Sequence, residues 1–73
     1  MCGIIGFVGN EPAAPILLDG LERMEYRGYD SAGVAVRSET AGLQVRKTKG
    51  RLQVLSDLIH GGADLEGNLG IGH

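Results

Sequence analysis

The 73-residue sequence is poor in the features that let a small chain fold by itself. One cysteine permits no internal disulfide, and an aromatic content of 4% with no tryptophan leaves few large side chains to bury. Thirteen glycines add to the conformational entropy that is lost on folding. We therefore expect the chain either to be marginally stable alone or to be part of a larger protein, and we favour the second.

Charge and hydropathy exclude several classes of protein. Seven Lys and Arg against nine Asp and Glu give a net charge of −2, and the sequence lacks the basic face that a nucleic-acid binder needs. No apolar run approaches the roughly 18 residues of a membrane-spanning helix. Residues 1–9 also lack the basic region of a secretory signal. Together with the single unpaired cysteine, these absences predict a cytoplasmic protein that binds neither nucleic acid nor membrane.

The apolar pattern predicts six elements in the order strand, helix, strand, strand, helix, strand. The first strand is apolar on both alternating faces, so we expect both of its faces to be covered. Asn10 is predicted to cap the first helix and Gly28 to end it. The second and third strands are expected to form a hairpin. The predicted strands cover residues 3–9, 32–37, 43–49 and 69–73, and the predicted helices cover 10–28 and 51–60.

Cys2 is a candidate for chemistry because of its position. Removal of Met1 would place a thiol and a free α-amine on one residue. An α-amine has a reference pKa of about 7.7–8.0, so it can accept the proton of the thiol near neutral pH. The alternative is a small apolar side chain packed in the core, which describes most free cysteines.

Arg27 is a second candidate, because it stands between two tyrosines in a segment dense in polar residues. Tyr26 and Tyr29 suggest a partly buried guanidinium that is held by its neighbours. The alternative is an ordinary cation at the end of a helix, where positive charge is favoured. On the residues alone, the two interpretations are evenly matched.

Two further patterns do not indicate a ligand. The glycines at positions 3, 6 and 9 have neither the spacing of a dinucleotide-binding loop nor the Gly-Lys-Ser/Thr ending of a phosphate loop. His60 and His73 are far apart in sequence and fit a helix end and a strand better than a metal site. We expect no metal and no cofactor.

Two segments resemble the class II glutamine amidotransferases: residues 1–6, MCGIIG, and residues 21–33, LERMEYRGYDSAG. The resemblance extends over essentially the whole chain. It implies an α+β fold, a fragment of the four-layer αββα sandwich of the N-terminal-nucleophile hydrolases, with mainly antiparallel sheets. Residues 1–73 would form the N-terminal part of a glutaminase domain, without the rest of that domain and without the sugar isomerase domains.

The resemblance also implies a reaction. Cys2 would attack the carboxamide of glutamine, with its own α-amine as base, and Arg27 would organise the site. The ammonia released would convert fructose 6-phosphate to glucosamine 6-phosphate in domains outside this chain. Most substrate-binding residues are expected beyond His73. The parent protein is expected to be a homodimer, and the isolated chain to be without glutaminase activity.

Two alternatives stay open. The purine-pathway amidophosphoribosyltransferase shares the cysteine opening, but it usually has His and Gln where this sequence has Tyr26 and Tyr29. From a different class, the chain could be a cytosolic αβ interaction module in which Cys2 only packs. The mass of the N-terminus, together with reactivity toward a glutamine-mimicking electrophile, distinguishes the module from the enzyme.

Overall fold

Four strands and two helices follow one another in the predicted order in the computed structural model, which describes residues 3–25 and 30–73. None of the helices in these ranges is long and apolar enough to cross a membrane. The elements are β1 (Ile5–Val8), α1 (Ala13–Met24), β2 (Ser31–Ser38), β3 (Gly42–Lys49), α2 (Leu52–Leu58), a 3-10 turn (His60–Gly62) and β4 (Leu69–Gly72).

The strands form one antiparallel sheet in the order β1-β4-β2-β3. The predicted hairpin joins β2 to β3, and its turn is stabilised by Ser38, whose Oγ accepts hydrogen bonds from the backbone N–H groups of Thr40 and Ala41, both at 3.2 Å. Gly42 leaves this turn with a φ of 72°, a conformation that glycine adopts at little cost. The last strand, β4, lies between β1 and β2 and pairs with both.

Both helices pack on one face of the sheet and form the core with it. Alternate residues of β2, namely Ala32, Val34 and Val36, point toward the helices and are buried. Leu17 and Leu21 of α1 are buried against them. The predicted α+β class is therefore confirmed.

Glycines in β4 let α1 lie close to the sheet. A Cβ atom at Gly70 would lie 2.9 Å from Leu17 Cδ1, and one at Gly72 would lie 3.0 Å from Leu21 Cδ1. Carbon atoms this close repel one another, so larger residues would push the helix away. The position of α1 thus depends on two residues without side chains.

The first helix begins and ends elsewhere than predicted. Its N-cap is Pro12 and no side chain caps it, so the predicted cap at Asn10 is wrong; the Ala13 N–H donates instead to the carbonyl oxygen of Gly67 at 2.8 Å. The helix ends at Met24, because Glu25 has an extended backbone (φ −73°, ψ 101°). The predicted end at Gly28 is therefore also wrong, and Gly28 itself lies outside the described residues.

The second helix is shorter than predicted. It ends at Leu58, and His60 (φ 52°) and Gly61 (φ 67°) adopt left-handed backbone conformations that an α-helix cannot contain. Ile59, the residue after this helix, is buried in the core, while Leu58 is 51% exposed.

The face of the sheet that the helices do not cover is apolar and exposed. On this outer face Val8 is 74% exposed, Leu43 68% and Ile71 59%, and Ile4, just before β1, is 73% exposed. The alternation predicted for the first strand is confirmed, since Ile5 and Phe7 pack against the core. The prediction that both faces are covered is wrong for the described residues, because both of their helices lie on the same side.

Replacement of Gly70 by alanine should destabilise the fold. The added Cβ would lie 2.9 Å from Leu17 Cδ1 and 2.7 Å from the carbonyl oxygen of Ala35, and overpacking of this kind costs about 1–3 kcal/mol. Gly6→Ala is the matched control, because its Cβ would meet its nearest neighbours at 3.9 Å. We expect a lower urea midpoint for Gly70→Ala only, measured by circular dichroism with a stabilising osmolyte. Equal midpoints would contradict the close approach of α1 to β4.

Candidate functional site

The two predicted catalytic residues, Cys2 and Arg27, lie outside the described residues. Their neighbours along the chain are described. Gly3 leads into β1, and Glu25 and Asp30 stand on either side of the segment that contains Arg27. The positions of these three neighbours give the points at which both candidates attach to the fold.

The strand register brings the beginnings of β1 and β2 to the same end of the sheet. Gly72 of β4 pairs with Ile5 on one side and with Val34 on the other. His73 continues this pairing, because its backbone exchanges two hydrogen bonds of 2.9 Å with Gly33. We call this end of the sheet, formed by residues 3–5, 31–34, 46–49 and 72–73, the site end.

The last turn of α1 reaches the site end as well. A Cβ atom at Gly3 would lie 3.1 Å from Met24 Cε and 3.2 Å from Met24 Sδ, so the two residues are in contact. Cys2 is the residue before Gly3, and Arg27 is three positions after Met24. The attachment points of the two candidates are therefore side by side, although more than twenty residues separate them in sequence.

The connection between β3 and α2 also contacts this region. The Gly50 N–H donates to the carbonyl oxygen of Asp30 at 2.7 Å. The Leu52 N–H donates to Glu25 Oε2 at 3.2 Å. Both described residues that flank the Arg27 segment are thus bound to the same short connection, a relationship that no local sequence pattern indicated.

An open groove of about 420 Å³ lies on the outer face at the site end. Lys47, Lys49 and His73 line it together with Ser31 and the surrounding strand residues. Two ammonium groups favour a ligand that carries a carboxylate or another anion. Sequence reasoning did not single out the two lysines; their spacing of two residues, which places them on one face of a strand, is the signal that could have found them.

Histidines and acidic residues do not converge in the described ranges. Within residues 3–25 and 30–73, no group of three or more His, Cys, Asp or Glu side chains could hold a metal ion. His60 lies at the end of the α2 region, as expected, and its Nδ1 is 2.7 Å from Asp64 Oδ2 on the surface. His73 extends a strand pairing, also as expected.

One side-chain oxygen atom at the site end, Thr48 Oγ1, is buried. Thr48 Oγ1 has no hydrogen-bond partner among the described residues. Its residue pairs with Ala32, so the side chain lies on the helix side of the sheet. A buried hydroxyl without a partner costs about 1–3 kcal/mol, so the described contacts leave this part of the site end incompletely satisfied.

The chain was compared with known proteins. No protein-family profile matches it. Over all 73 residues it is 52% identical to a protein of Caldanaerobacter subterraneus, 56% identical to one of Thermus thermophilus and 51% identical to one of Bacteroides thetaiotaomicron, each named glutamine–fructose-6-phosphate aminotransferase (isomerizing). The chain spans 12% of the length of these curated relatives. It is therefore homologous throughout to a fragment of the N-terminal region of the glutamine–fructose-6-phosphate aminotransferases, which confirms the resemblance predicted from its sequence.

Proposed function

We propose that the chain is the nucleophile-bearing part of a glutaminase domain, in a protein that forms glucosamine 6-phosphate from fructose 6-phosphate and glutamine. The observation that carries the proposal is sequence similarity: all 73 residues align with relatives named for that reaction, at 51–56% identity. Because the chain spans 12% of their length, the overall reaction belongs to the whole protein. This chain would contribute to the release of ammonia from glutamine.

Cys2 is the proposed nucleophile, once Met1 has been removed. Its sulfur attacks the carboxamide carbon of glutamine while its α-amine accepts the thiol proton. Collapse of the tetrahedral intermediate breaks the C–N bond, and ammonia leaves with a proton returned from the amine. Water then hydrolyses the γ-glutamyl thioester to glutamate. The contact between Gly3 and Met24 supports this role, because it places the residue after Cys2 against the last turn of α1.

Arg27 is proposed to organise the site around the nucleophile. The adjacent attachment points of Cys2 and Arg27 at the site end support the pairing. The groove lined by Lys47 and Lys49 supports binding of glutamine at the same end, because glutamine carries a carboxylate.

Residues 1–73 are proposed to be one part of the domain, whose remainder covers the outer face as a second sheet. The exposed side chains of Val8, Leu43 and Ile71 support this arrangement, since soluble proteins rarely leave a contiguous apolar patch of this kind open. The completed domain would be the four-layer αββα sandwich. A homodimeric parent, a cytoplasmic location, the absence of nucleic-acid binding and the inactivity of the isolated chain stay predictions.

A retained extension before Cys2 should abolish glutamine hydrolysis in the whole protein. The extension converts the α-amine into an amide, which is not basic, and it adds bulk beside the thiol. General-base assistance alone is worth about 10²–10⁴-fold in rate. Cleavage that exposes Cys2 should restore hydrolysis, measured as glutamate release by protein of verified mass.

Isomerisation of fructose 6-phosphate is the control for this experiment, because it should continue in the tagged and in the cleaved protein. Wild-type hydrolysis of glutamine by an intact tagged protein would rule out the amine as base. Cys2 would then be an ordinary cysteine near a terminus.

Arg27→Lys in the whole protein should lower the turnover of glutamine although the positive charge is kept. Lysine lacks the planar fork of donors with which arginine holds two partners in fixed positions. Steady-state kinetics of glutamate release, together with the thermal midpoint, test the role. Unchanged turnover with a lower midpoint would instead support a purely structural role for Arg27.

A further inference from the structure

The β3–α2 connection holds both ends of the segment that contains Arg27. Gly50 donates its N–H to the Asp30 carbonyl oxygen at 2.7 Å, and Leu52 donates its N–H to Glu25 Oε2 at 3.2 Å. Asp30 and Glu25 are the described residues on either side of the segment. These two hydrogen bonds, donated by Gly50 and Leu52, therefore tie the end of α1 and the start of β2 to the same connection.

The bond from Leu52 takes the place of a local helix cap. The first N–H groups of a helix have no partner within the helix, and the preceding Ser, Thr, Asp or Asn side chain usually accepts from them. At α2 the N-cap is Arg51, which makes no side-chain cap, and the first turn contains no acidic residue. Glu25, 27 positions earlier in the sequence, supplies the acceptor instead. Its carboxylate forms a charge-assisted bond, which is stronger than one to a neutral group.

The second bond depends on an unusual backbone conformation. Gly50 has a φ of 99°, in the region that residues with side chains rarely adopt. Its N–H donates to the carbonyl oxygen of Asp30, which continues the pairing of β3 with β2 by one position. The connection is thus bound through the backbone of Gly50 on one side and, on the other, through a carboxylate that is distant in sequence, that of Glu25.

We propose that Glu25 is a positioning residue for glutamine hydrolysis, which acts by holding the end of α1 against the β3–α2 connection. The inference rests on the proposed function. Glu25 stands two positions before Arg27, so its bond to Leu52 acts at the point where the chain leaves α1 toward Arg27. A displacement of about 1 Å at a reacting site can cost on the order of 10² in rate.

The test compares three variants of the whole protein with Cys2 exposed. Glu25→Ala removes the acceptor and should lower kcat for glutamine hydrolysis roughly tenfold, within the range that misplacement produces. Glu25→Gln keeps an acceptor oxygen and should stay within about threefold of the wild type. Glu22→Ala is the matched control, because it removes an exposed carboxylate one turn earlier on α1 and should leave kcat unchanged.

A double variant separates positioning from general stabilisation. If Glu25 acts through Arg27, then Glu25→Ala added to Arg27→Lys should lower kcat far less than it does alone, because residues that act as a unit are not additive. Fully additive losses would overturn the proposal. So would a Glu25→Ala protein that melts at a lower temperature but hydrolyses glutamine at the wild-type rate below its transition.

Two further variants, Glu25→Asp and Cys2→Ala, test the proposal where the first set cannot. If Glu25→Ala fails to fold, Glu25→Asp keeps the charge but shortens the reach, and its kcat should lie between those expected for Gln and Ala; a wild-type kcat would contradict the proposal. Cys2→Ala should abolish hydrolysis. A Cys2→Ala protein that still hydrolyses glutamine would overturn the proposed function. If Cys2→Ala loses hydrolysis as expected but Glu25→Ala keeps full activity, only the positioning role of Glu25 is overturned.

Discussion

The insertion of β4 between β1 and β2 is the constraint on which the described fold depends. In the described sheet β1 has β4 as its partner, so without β4 it would have no hydrogen-bonded connection to the hairpin. The same strand supplies Gly70 and Gly72, over which Leu17 and Leu21 of α1 pack. Sheet order and helix position therefore follow from one short segment. Its glycines lose more conformational entropy on folding than other residues do, but because they have no side chain they allow α1 to lie close to the sheet.

The register of β4 also determines which segments meet at the site end. Because Gly72 pairs with Ile5 and Val34 at once, the chain must enter β1 and β2 at the same end of the sheet. The hairpin then returns β3 to that end, where the connection to α2 meets Glu25 and Asp30. The meeting of the beginnings of two strands with the end of a helix is thus a consequence of strand order.

Periodicity was sufficient to predict what depends on local sequence. The order of the elements, the hairpin and the alternation of Ile5 and Phe7 against Ile4 and Val8 were all correct. The errors concern helix ends and the covering of the outer face, which both depend on distant partners: α1, for example, begins where Ala13 meets Gly67 rather than at an Asn10 cap. For the candidate site as well, local sequence was informative and contacts between distant residues could not be predicted. A motif indicated Cys2 and Arg27, but no periodicity could show that Glu25 would cap a helix 27 residues later.

The position of β4 at the far end of the chain has a consequence for biosynthesis. Val8 pairs with Leu69, so about 60 further residues must be made before β1 can join the sheet. At synthesis rates of about 5–20 residues per second, this interval lasts roughly 3–12 s. Throughout it the first strand lacks the hydrogen-bonded neighbour that β4 provides in the described sheet. Under the proposed function, an aminopeptidase therefore has a period of seconds in which to remove Met1 before β1 joins the sheet.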